Sequence, residues 1–152
     1  MTTPMLTATG FDFCGPLPRG TTLLEASAGT GKTHAIGALV TRYVADGAAT
    51  LDDLLVVTFG RAASQELRER VRGHLVQAER ALADPAQART DTDPVHRLLA
   101  DGADEVVAGR KERLRAALAG FDAATIVTTH QFCQYVLTGL GIAGDGDADV
   151  EL

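Results

Sequence analysis

The chain has 152 residues, 45% of them hydrophobic and 22% charged, and a formal net charge of -6. These proportions suit one globular domain with a core of its own and exclude a low-complexity, collagen-like or wholly disordered chain. No stretch approaches the roughly 18 apolar residues of a membrane helix, so no membrane partner is expected, and the acidic balance sets aside a uniformly basic nucleic-acid binder.

The opening "MTTPMLTATGFDF" has no basic start followed by an apolar run, so it does not read as a secretory signal. Cys14 and Cys133 form no C-x-x-C pair and no metal-ligand spacing with histidine. They suggest a reduced, cytoplasmic setting, with Cys133 as a packing residue. "TTLLEA", Thr21 to Ala26, is short, apolar and β-branched at its start, which predicts a buried strand. A glycine-rich turn follows, and then Ile36, Leu39, Val40, Tyr43 and Val44 recur at helical spacing up to Gly47.

"LLVVTF", Leu54 to Phe59, is a continuous apolar run of the kind that parallel sheets bury. A long helix is predicted from about Arg61, with Ala63, Leu67, Val71 and Leu75 on one face and Glu66 and Arg70 as an i,i+4 pair. "ADPAQARTDTDP" breaks it. Asp93 and Pro94 predict an N-cap and first-turn proline of a short helix. A further helix is expected from Asp104 to Leu118, then a strand over Ala124–Thr129 ("ATIVTT") and a last helix in "HQFCQYVLTGLG". Strand alternating with helix, interrupted by a helical stretch, predicts an α/β fold with a parallel sheet and helices on both faces. Residues 1–71 and 121–140 would make the sheet domain and 72–120 a helical insertion. The acidic residues 141–152 would be a disordered tail.

The loop "ASAGTGKT" carries the most specific chemistry. Ala26, Ser27, Ala28, Gly29, Thr30, Gly31, Lys32 and Thr33 nearly complete the phosphate-binding pattern G-x-x-x-x-G-K-[ST], with Ala26 at the first glycine position. Glycines allow backbone N–H groups to approach phosphate oxygens closely, and the following helix presents its positive end. Lys32 would reach the β- and γ-phosphates of ATP, and Thr33 would offer its hydroxyl to Mg²⁺. The predicted strand before the loop and helix after it supply the expected context.

"EASAGTGKT", "VVTFGRAASQELRERV" and "TTHQFC" together resemble three motifs of superfamily 1 DNA helicases of the UvrD/Rep-like group, closest to its RecB-type members. In that group the phosphate loop often begins with alanine. The resemblance runs from about Phe11 to Leu140. It implies a partial RecA-like P-loop domain in an ATP-dependent 3′–5′ helicase and exonuclease that opens double-stranded DNA ends for recombinational repair. It also implies that Thr58, Phe59, Arg61, Thr129, His130 and Phe132 lie along single-stranded DNA. RecC-like and RecD-like subunits would be partners.

Taken without the resemblance, Phe59 reads as a core residue and His130 as a structural or capping histidine. Gly60 stands where the family has a hydroxyl residue, and Gln131 where it often has glycine. The family's D-E-x-Q segment is absent, so the chain is expected to be the N-terminal piece of a longer protein, inactive alone. Two alternatives stay open: a small P-loop nucleotide or metabolite kinase, and a non-catalytic DNA-binding product.

Overall fold

A computed structural model describes residues 10–25 and 31–139. The expected acidic tail, residues 141–152, lies outside them. Helix α1 (Lys32–Ala45) begins immediately after Gly31 and ends at the C-cap Asp46, with Gly47 at φ 71° completing the exit. Strand β1 (Leu55–Thr58) leads into the long helix α2 (Arg61–Ala81). Three further helices follow: α3 (Pro85–Ala88), α4 (Pro94–Leu99) and α5 (Asp104–Ala119). Strand β2 (Thr125–Thr128) then passes directly into α6 (Thr129–Gly139).

The core lies where α1, α2 and α5 pack together, with α4 closing one side. Val71, Leu75, Leu99, Val107 and Leu114 are its most deeply buried aliphatic side chains. Full burial stabilises each by roughly 1.5–3 kcal/mol, which explains why the predicted apolar stripe of α2 points here. Asp93 caps α4 as expected: its carboxylate accepts from Val95 N at 2.8 Å, and Pro94 occupies the first turn. Asp84 does the same for α3 through Gln87 N, so the stretch expected to be a plain break contains one helical turn.

Strands β1 and β2 pair in parallel, in the register Leu55↔Thr125, Val56↔Ile126, Val57↔Val127 and Thr58↔Thr128. Val56 and Ile126 turn toward the core. Leu55 and Val57 face the other way and are exposed.

The strand expected over Thr21–Ala26 is not formed. Residues 21–25 carry no strand pairing, Leu23 is 81% exposed, and Ala26 lies outside the described residues. Among the described residues β1 and β2 bond only to each other, and residues 21–25 join neither of their outer edges; an apolar run becomes a strand only when a neighbour pairs with it. Cys133 is likewise corrected. It lies exposed on α6, not packed. No described helix is long and apolar enough to cross a membrane.

Candidate nucleotide and nucleic-acid site

The phosphate-loop candidates divide at the boundary of the described residues. Ala26, Ser27, Ala28, Gly29 and Thr30 lie outside them. Gly31 has φ 95°, a left-handed conformation that favours glycine, and it accepts from Ala35 N at 2.8 Å as the helix N-cap. Lys32 is exposed and Thr33 half-buried on the first turn of α1. The N–H groups of a first turn have no intrahelical partner. Within α1 itself, no acidic side chain of the first turn offsets the positive end of the helix.

The first turn of α1 is held by rings. Phe13 meets His34 edge-on at 5.8 Å, and His34 lies 4.7 Å from the ring of His74 on α2. Burial pushes the His74 pKa below its ordinary value, and the neighbouring His34 pushes it the same way. Asp91 is held below the carboxylate range by the Asp93 amide and then by His96, whose Nδ1 stands 2.9 Å away.

Five of the six nucleic-acid candidates gather at the C-terminal edge of the sheet: parallel pairing brings Thr58 level with Thr128, and so sets Phe59 and Arg61 near Thr129 and His130. Phe132 does not join them there; it lines a cleft with Leu55, Thr125, Val127 and Tyr135. Thr129 Oγ1 donates to the Thr58 carbonyl at 3.4 Å, tying the two strand ends together. Phe59 is 95% exposed, which overturns its reading as a core residue. Arg61, Thr129 and His130 are exposed; Thr58 and Phe132 are half-buried. Helices α2 and α6 both start at this edge, and neither has an acidic residue in its first turn. Two unneutralised helix N-termini, an arginine and an exposed ring form a surface suited to phosphate and base stacking.

The described part of the phosphate-loop set, at the first turn of α1, stands apart from the candidates at the sheet edge. The first turn of α1 meets α2 at His74, about 20 Å along that helix from Arg61 at the α-helical rise.

Gln131 has a role that spacing alone could have suggested. Its Oε1 accepts from Thr128 N at 2.9 Å, while its own N–H donates to Thr128 Oγ1 at 3.2 Å. This is the reciprocal T-x-x-Q capping box at the start of α6, legible in "TTHQ".

The UvrD/REP helicase N-terminal domain matches residues 14–145 of the chain. The chain belongs to the UvrD/REP helicase family. Among this family, the chain is 60% identical over 144 residues to the RecBCD enzyme subunit RecB of Mycolicibacterium smegmatis, an alignment that covers 93% of the chain and 13% of that protein. It is 39% identical to the RecBCD enzyme subunit RecB of Escherichia coli, over 78% of the chain and 10% of that protein. It is 32% identical to the RecBCD enzyme subunit RecB of Chlamydia pneumoniae, over 78% of the chain and 11% of that protein. The chain thus spans about a tenth of the length of the relatives it matches. The mixed helix and strand architecture with its small parallel sheet is consistent with a partial domain of this family.

Proposed function

We propose that this chain is the ATP-binding part of the first motor domain of a RecB-type DNA helicase. The observation that carries the reading is Lys32 and Thr33 heading α1 directly after a left-handed Gly31, in a helicase-family sequence that reads "ASAGTGKT". Backbone N–H groups of the loop and first turn would cradle the phosphates, and the Lys32 ammonium would neutralise their charge. Thr33 supplies a hard oxygen donor, which fits Mg²⁺. With no acid on its turn, the other ligands would come from phosphate and water. When bound, Mg²⁺ shields the phosphate charge. Thr58, Phe59, Arg61, Thr129 and His130 form the track for single-stranded DNA, with Phe59 as the stacking ring.

In this proposal, residues 1–71 and 121–140 belong to a RecA-like unit and 72–120 to its helical insertion. The longer protein would act on double-stranded DNA ends in the cytoplasm; RecC-like and RecD-like partner subunits are suggested by the name RecBCD that its relatives carry. The sequence carries no D-E-x-Q segment to orient an attacking water, so the chain alone binds ATP without turning it over.

Steady-state ATPase assays with and without single-stranded DNA test this. Turnover by the 152-residue chain, abolished in Lys32→Ala, would contradict the non-hydrolytic reading. ADP release stimulated by a small phosphoryl acceptor, and not by DNA, would favour a kinase instead.

A further inference from the structure

The segment between Phe11 and Pro18 lies over α1 and leads toward the phosphate loop. Arg42 holds it: one terminal nitrogen donates to the carbonyls of Phe13 at 2.8 Å and Gly15 at 2.6 Å. The Tyr43 hydroxyl donates to the Pro18 carbonyl. Arg42 is in turn held by Asp46 one turn later, at 3.2 Å. The second oxygen of that carboxylate accepts from Arg110 Nε at 3.1 Å. Arg110 lies on α5, and its remaining reach goes to the end of α4, donating to Leu99 O at 3.0 Å and Asp101 O at 2.7 Å.

Asp46 is therefore shared between two guanidinium groups that serve different parts of the molecule. The side chains of Arg42, Asp46 and Arg110 are 9%, 21% and 18% exposed, so their charges are largely withdrawn from water. Removing one partner from such a set leaves the others poorly satisfied and free to move. An arginine fork fixes direction as well as charge, so a shift of Asp46 turns Arg42 and, with it, the carbonyls that Arg42 grips.

We propose that Asp46 is a positioning residue for the nucleotide site, setting the Phe11–Pro18 segment through Arg42 according to where Arg110 and the helical region α4–α5 stand. This rests on the nucleotide reading of α1. The chain of contacts makes the helical region an effector of ATP affinity, and ATP, reciprocally, an effector of the helical region.

The test compares Asp46→Asn and Arg110→Gln in the whole chain with Arg113→Gln, which cuts a different tie between α5 and α1, the bond to Ala45 O at 2.7 Å. Amide exchange is followed at Cys14 and Gly15, whose N–H groups are bonded to Asp12 within the segment. Mg-ATP affinity is measured in parallel. Asp46→Asn and Arg110→Gln should both speed exchange at Cys14 and Gly15 and weaken Mg-ATP roughly fivefold, at the low end of site-to-site couplings, while Val71 and Leu75 exchange as before. Arg113→Gln should do neither. Unchanged exchange at Cys14 and Gly15, or equal acceleration throughout the core, would overturn the proposal. Absence of Mg-ATP binding in the unaltered chain would contradict the nucleotide reading, and the exchange comparison alone would then decide the coupling.

Discussion

His74 on α2 lies directly over Gly37 on α1. A Cβ built on that glycine would collide with His74 Cδ2 and stand 2.9 Å from its Cγ. The imidazole occupies the space that a side chain on α1 would need, and the closeness of the two helices depends on it.

Gly37→Ala should therefore destabilise the fold by about 1 kcal/mol, because overpacking outweighs the gain in helix propensity. In a His74→Ala background the same change should stabilise by up to about 1 kcal/mol, since the obstacle is gone. Urea titration of the four proteins in this cycle reads the sign directly.

The same histidine gives the stability a pH dependence. Its folded pKa is lowered from 6.5 by burial and by His34. Above 6.5 both the folded and unfolded forms are neutral and the group is silent. As pH falls through 6.5 toward the lowered value, the unfolded chain takes up the proton first, so stability is lost over that window. Thermal melts from about pH 7.5 down to about pH 5 should show a falling Tm that flattens in His74→Gln. Asp53 and Asp91 also have lowered pKa values, but their contribution is lost only on further acidification, below 3.8.

Asp93→Ala removes the side-chain cap of α4 and should cost about 1 kcal/mol. Asp93→Asn, which keeps an acceptor, should recover most of it. Chemical denaturation checks both.

Phe59 separates surface from core. At 95% exposure, its replacement by alanine should leave Tm within about 1 °C, the small effect expected of a surface substitution. Affinity for a fluorescent single-stranded oligonucleotide should fall about tenfold, the loss expected for one stacked base. Fluorescence anisotropy with a poly-dT probe measures it.

Much of this molecule was legible in the sequence because its signals are local. The apolar spacing of Leu67, Val71 and Leu75 and the Asp93–Pro94 pair each specify structure within a turn or two, and each is present. The strands at Leu55–Thr58 and Thr125–Thr128 followed from apolar runs. Thr21–Ala26 carries the same kind of signal and forms no strand, because a strand is specified by its neighbours as well as by its own residues. Phe59 shows the converse. Its composition argues for burial, and only its place one residue beyond β1 exposes it. The sharing of Asp46 by Arg42 and Arg110 depends on packing across 64 residues of sequence, and no local pattern announces it.

The central claim is that α1 and the loop before it hold ATP. Calorimetric titration of Mg-ATP into the chain, beside Lys32→Ala, tests it most directly. Saturable binding in the unaltered chain, lost in a Lys32→Ala protein with the same Tm, is the predicted result. Equal binding by both proteins, or heat from neither, would contradict it.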